Sequence, residues 1–200
     1  MTGKQARAEP KQARARFTVD VILEAAERLL ASGGRTNTRT IARLAGVSVG
    51  TLYQYFPRRD AVIARIVDRR LERDERALLA VFERHRDDSL EELIRRSVDT
   101  MLPHRDWEIA LYPSMVDNLQ AAERHVQVQA FIARFEALWS AELARRRATL
   151  RPGLDPEVAA VTSIHAIRGA MLALARRDPP LPRDRLVHAL ADLGVAYLTG

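Results

Sequence analysis

The sequence predicts an all-α chain in two parts, an N-terminal three-helix head containing a helix-turn-helix and a C-terminal helical domain. Three observations predict the fold class. Apolar residues recur at three- and four-residue spacing along most of the length, Gly and Pro cut that pattern into helix-sized pieces, and no alternating run offers a competing strand. With 200 residues, 47% hydrophobic and 29% charged, the chain can bury a sizeable core. The lack of cysteine removes disulfides, thiolate metal sites and cysteine nucleophiles, and suits a reducing compartment. Its apolar runs read as shorter than a bilayer span and its N-terminus is polar and basic, so a cytoplasmic protein without membrane attachment is expected.

Residues 1–16 place Lys4, Arg7, Lys11, Arg14 and Arg16 among Ala, Gln, Gly and Pro, the composition of a disordered basic arm. Thr18 and Asp20 are expected to open the first helix, in which Ile22, Ala25, Ala26, Leu29 and Leu30 share one face and Gly33-Gly34 end it. A DNA-binding domain is expected over residues 17–62, with its motif at 37–56. Asn37 caps the first motif helix, and Ile41, Leu44 and Ala45 form its apolar face. Gly46 permits a left-handed turn and Ser48 caps the second helix. There Leu52 and Phe56 point inward, while Gly50, Thr51, Gln54 and the rims of Tyr53 and Tyr55 point outward. Pro57 stops that helix before Arg58 and Arg59.

Charge favours nucleic acid as the partner of this face. Residues 1–60 hold 11 Lys plus Arg against 5 Asp plus Glu, whereas residues 61–200 hold 21 of each sign. All of the net charge of +6 therefore sits beside the motif, which is the footprint of a phosphate-backbone binder.

Residues 63–200 are expected to form the second domain. Asp60 can cap a long helix that begins with Val62, Ile63, Ile66 and Val67 and then becomes heavily charged, suiting it to connect the two parts. Further helices are expected at residues 89–102, 105–119, 121–150, 155–177 and 182–198, with Pro113 kinking or splitting the second of these. Trp107, Tyr112, Met115, Phe131, Phe135, Trp139, His165 and Arg168 could line an apolar cavity with a few polar groups. Ile164, Ile167, Met171, Leu186, Leu190, Leu193 and Tyr197 on the last two helices form a candidate dimer seam, with monomer core as the competing reading.

The ordered combination of Ile22-Leu23-Glu24-Ala25-Ala26, Thr38-Arg39-Thr40-Ile41-Ala42-Arg43-Leu44-Ala45-Gly46-Val47-Ser48 and Val49-Gly50-Thr51-Leu52-Tyr53-Gln54-Tyr55-Phe56-Pro57 resembles the tetracycline-repressor (TetR) family of bacterial transcription regulators. The resemblance is specific over about residues 17–75 and architectural beyond about residue 85. It implies a homodimer of about nine helices per chain, paired through its last two helices. It also implies DNA contacts from Ser48, Val49, Gly50 and Thr51 at the start of the recognition helix, from Tyr53, Gln54 and Tyr55 along it, from Arg39 on the preceding helix, and from Arg59 at a phosphate.

Catalysis finds no support. His85, His104, His125, His165 and His188 are scattered, no serine stands in a nucleophile-elbow setting, and no Gly-rich phosphate loop occurs. No cofactor or metal is expected. The expected function is a transcriptional regulator with double-stranded DNA, a second copy of itself and a small apolar or amphipathic effector as partners. It would be a repressor released from a palindromic operator by that effector. The alternative is a helical effector-binding or protein-interaction module that reads no specific operator.

Overall fold

A computed structural model describes residues 8–34, 36–102, 106–120, 122–178 and 181–200. Among them it forms nine α-helices: α1 Ala8–Ala31, α2 Thr38–Leu44, α3 Val49–Tyr55, α4 Arg59–Arg84, α5 Leu90–Met101, α6 Asp106–Asn118, α7 His125–Arg145, α8 Pro156–Ala175 and α9 Arg183–Thr199. A single 3-10 turn, Arg147–Thr149, follows α7.

The helix ends obey local chemistry. Asn37 Oδ1 accepts from Thr40 N at 2.9 Å, and Asn37 N donates to Thr40 Oγ1 at 3.1 Å, so two otherwise orphaned donors are satisfied at the start of α2. Ser89 Oγ accepts from Glu92 N at 3.1 Å, and Asp155 Oδ1 accepts from the amides of Glu157 and Val158, both at 3.0 Å. Replacing Asn37 with alanine is expected to cost about 1 kcal/mol of stability, measurable by chemical denaturation.

Several sequence expectations are corrected. Residues 8–16, expected in the disordered arm, are the first turns of α1, while residues 1–7 lie outside the described residues. Alanine, arginine and glutamine all have high helix propensity, and Pro10 falls in the first turn, where its missing N–H costs no helical bond. Thr18 is accordingly interior, its hydroxyl donating to Arg14 O at 2.9 Å. Asp60 is not the α4 cap: Arg58 holds that position without a side-chain bond, and Asp60 sits in the first turn paired with Arg59 at 3.1 Å. Of the two outcomes expected at Pro113, a kink or a split, the split does not occur, since the residue lies inside α6. Leu44, assigned inward, is 51% exposed.

The head's core unites Ile22, Leu23, Ala26 and Leu30 of α1 with Ile41 of α2, Leu52 of α3, Phe56 just beyond it, and Val62, Ile63, Ile66 and Val67 of α4. It does not stop at the expected boundary after residue 62. Leu111 and Met115 of α6 and Ala122 join the same cluster, so α6 belongs to both parts. The second core gathers Leu93, Ile94 and Val98 of α5, Trp139 and Leu143 of α7, Ala159 and Ala160 of α8, and Leu186, Leu190 and Leu198 of α9. By length and composition α8 is apolar enough to cross a bilayer, contrary to the expectation that every apolar run is too short. It instead packs against α7 and α9, with Val158 and Val161 left exposed.

Candidate nucleic-acid interface and interior cavity

The turn between α2 and α3 sets the recognition face. Gly46 has φ +68, the left-handed region that costs a side-chain-bearing residue steric strain, and Val47 N closes the turn on Ala42 O at 3.0 Å. Ser48 Oγ then accepts from Thr51 N at 2.9 Å and lies 2.8 Å from Thr51 Oγ1. These bonds hold the start of α3 in place, so Ser48 and Thr51 already support each other. Leu52 is fully buried and anchors the helix, leaving Val49, Gly50, Tyr53, Gln54 and Tyr55 exposed. The Tyr53 hydroxyl lies 3.2 Å from Thr38 Oγ1, tying the outer rim of α3 to the first turn of α2.

The nominated arginines divide. Arg39 is exposed and has no acidic partner among the described residues; Arg14, Arg16 and Arg43 share that condition, although sequence reasoning did not nominate Arg43. The signal for Arg43 was present: it stands four residues after Arg39, on the same helical face. Arg59 is differently placed. Its guanidinium donates to Asn118 Oδ1 at 2.8 Å and to Asp60 Oδ1 at 3.1 Å, so it joins α4 to the end of α6.

That bond is one of several along the same seam. Arg58 pairs with Glu123 at 2.9 Å, Arg124 grips Asp68 with bonds of 2.7 and 3.1 Å, and Ser114 Oγ donates to Leu30 O at 3.0 Å. Glu123 itself has φ 54 in the turn between α6 and α7, a conformation that a non-glycine residue holds only when its surroundings impose it. Nearby, burial pushes the Glu27 carboxyl of α1 above the usual carboxylate range, with Arg69 opposing and Glu108 reinforcing the rise. Sequence reasoning found none of these contacts, because each joins residues more than 50 positions apart.

On the other side of α6 lies a cavity of about 170 Å³ enclosed by α4 to α9. Tyr112, Met115, Phe131, Phe135, Trp139 and Arg168 line it, as the sequence suggested. His165 does not: it is exposed, with Nε2 2.7 Å from Glu136 Oε1. The side chain of Trp107 lies outside those described. The polar groups of the wall include the Arg70–Asp74 ion pair at 2.7 Å and Ser163, whose Oγ accepts from Trp139 Nε1 at 3.1 Å. Sequence reasoning missed Arg70 and Asp74 because they sit within the charged stretch of α4, which reads as surface.

The proposed seam is also redistributed. Leu186 and Leu190 are in the chain's own core, and Ile164, Ile167 and Met171 face the cavity. Leu193 is 45% exposed, and Tyr197 lies beneath the Arg151 guanidinium, 5.1 Å from its ring centre. The exposed apolar face is instead Val158, Val161, Ala166, Gly169 and Ala173 of α8 with Ala189, Leu193 and Ala196 of α9.

Residues 22–66 match the model for bacterial regulatory proteins of the tetR family. The likeness in sequence is to the N-terminal segment of this family. Solved structures extend the likeness in fold to about nine tenths of the chain. NalD, the secondary repressor of the MexAB-OprM multidrug efflux pump in Pseudomonas aeruginosa, is 23% identical with a TM-score of 0.68, covering 92% of this chain and 98% of its own. The ketosteroid transcriptional regulator KstR2 of Mycobacterium tuberculosis is 18% identical with a TM-score of 0.69, covering 91% and 95%. SmeT, the repressor of the Stenotrophomonas maltophilia multidrug efflux pump SmeDEF, is 23% identical with a TM-score of 0.62, covering 91% and 90%. No curated protein matches this chain.

Proposed function

We propose that this chain is a cytoplasmic homodimeric repressor of the TetR family that binds a palindromic operator and is released from it by a small apolar or amphipathic effector. The observation that carries the reading is the position of α6, whose Met115 lines the cavity while belonging to the core of the DNA-binding head. A ligand that displaces α6 pulls on Leu30 through Ser114, on Arg59 through Asn118, and on α4 through the neighbouring Arg124–Asp68 pair. Those contacts all lie at the base of the head. Two heads held at a fixed spacing would then leave the register of successive major grooves.

Release requires the effector to favour the displaced state, since equal affinity for both states moves no equilibrium. Dimerisation is supported by the exposed apolar face of α8 and α9, where Gly169, Ala166 and Ala196 permit close approach of a second copy. The repressor roles printed for NalD and SmeT agree in kind with this reading.

Selection of bound sequences from genomic DNA fragments tests it, and a palindrome is expected. Recovery of unrelated sequences would instead support a helical module without operator reading. Within the operator, the exposed Gln54 is assigned by this reading to pair with adenine through its amide. Gln54→Ala is expected to relax preference at one base position by about 1–3 kcal/mol, measured by competition between operator variants. Equal losses on operator and random DNA would remove the base-reading role.

A further inference from the structure

The cavity wall has an imbalance that points to the chemistry of its occupant. Arg70 is neutralised by Asp74 at 2.7 Å, and Asp74 also accepts from Arg73 at 3.4 Å, so this acidic group is fully engaged. Arg168, half-buried on α8, lines the same cavity and has no acidic partner among the described residues. The lining therefore has two guanidiniums and one carboxylate, a net single positive charge facing a wall that is otherwise mostly apolar. A guanidinium at the wall of an apolar cavity offers a charge-assisted partner to an anion that enters it.

Two hydroxyls also belong to the wall, of which that of Ser97 is buried without a partner. Ser97 Oγ is fully buried and makes no hydrogen bond, and the Tyr112 hydroxyl has no partner among the described residues. Arg70 donates to Met101 O at 3.3 Å, one helical turn beyond Ser97 on α5. The groups left over are thus a guanidinium, which can only donate, and two hydroxyls that can donate. Their natural complement is an acceptor with negative charge and no donor of its own, which describes a carboxylate.

We propose that the cavity binds a monoanionic amphiphile, an apolar chain or ring system ending in a carboxylate, with Arg168 as the anchor for the charge. This rests on the reading of the cavity as the effector site. Phe131, Phe135 and Trp139 hold the apolar body, and the Ser97 and Tyr112 hydroxyls add uncharged donors to the wall. A cationic amphiphile meets the unpaired guanidinium and is disfavoured.

Calorimetric titration of the full chain with decanoate, decanol and decylamine separates the possibilities, because the three share a chain and differ in headgroup charge. Decanoate is expected to bind about tenfold or more tighter than decanol, as a charge-assisted hydrogen bond implies, with decylamine the weakest. Arg168→Gln is expected to bring decanoate and decanol to equal affinity, whereas Arg168→Lys retains the preference. Equal binding of decanoate and decanol by the unaltered protein, or tightest binding of decylamine, would overturn the carboxylate assignment while leaving the cavity as a ligand site. A preference that survives Arg168→Gln would overturn the anchor. No binding by any of the three would overturn the effector reading itself, and this inference with it. The ranking in the unaltered protein does not depend on whether a variant folds.

Discussion

Leu52→Ala is expected to destabilise the head by about 2–5 kcal/mol and to abolish operator binding. Leu52 is fully buried at the centre of α3, in the same cluster as Ile22, Ile41, Phe56 and Ile63. Truncation removes its transfer free energy and leaves a void where three head helices and α4 converge. A helix of seven residues has no means of holding itself in place, since isolated helices of that length are unstable in water. The outward residues Gln54 and Tyr53 then lose their fixed aim even though neither is altered. Denaturation monitored by circular dichroism, beside a binding assay on the selected operator, checks both parts of the expectation. Gln54→Ala serves as the comparison: it changes base preference with little change in melting, because its side chain is exposed. Full operator affinity in Leu52→Ala would show that the packing of α3 does not position the reading face.

The second large effect is expected at the cavity wall. Asp74→Ala leaves the Arg70 guanidinium buried without its counter-charge, at an expected cost of about 3–5 kcal/mol. Both side chains of this pair are nearly closed to solvent, at 14% exposure for Arg70 and 11% for Asp74, so water cannot substitute for the lost partner. The penalty belongs to the abandoned charge and not to the pair as such. The double substitution Arg70→Met with Asp74→Leu is therefore expected to recover most of the loss, because two apolar groups of similar volume carry no desolvation cost. Thermal or urea denaturation of the two single variants and the double variant measures this coupling. Additive losses would show that the ion pair contributes through some other contact, of which the Arg70 bond to Met101 O is the nearest. The exposed Arg28–Glu24 pair offers a contrast: its side chains are 61% and 53% exposed, and breaking it is expected to change stability by less than about 1 kcal/mol.

Much of the head was legible because its determinants are short in range. Asn37, Gly46 and Ser48 act on backbone groups within four residues, and the inward period of Ile41, Leu52 and Phe56 needs only helical geometry to interpret. The basic arm was misread for a related reason: low apolar content signals disorder only when helix propensity is also low, and the stretch from Ala8 to Arg16 is rich in alanine and arginine. Six cavity residues were named correctly from composition and spacing, while Arg70, Asp74 and Ser97 escaped. A charge inside a charged run, or a serine inside an amphipathic helix, reads as surface until the neighbouring helices are in place.

By itself, then, the sequence determined the helical class, the motif from Asn37 to Phe56, the outward residues of α3 and the concentration of positive charge around them. Each depends on neighbours within a turn or two. Only the tertiary structure decided that α6 joins the head's core while lining the cavity, that Arg59 reaches Asn118, that Leu186 and Leu190 face inward while Val158 and Val161 face out, and that Arg168 lines a cavity without an acidic partner among the described residues. The physical reason is the symmetry of an apolar helix such as α8. When apolar residues surround much of its circumference, periodicity no longer selects the buried side, and that choice falls to packing between segments far apart in the chain.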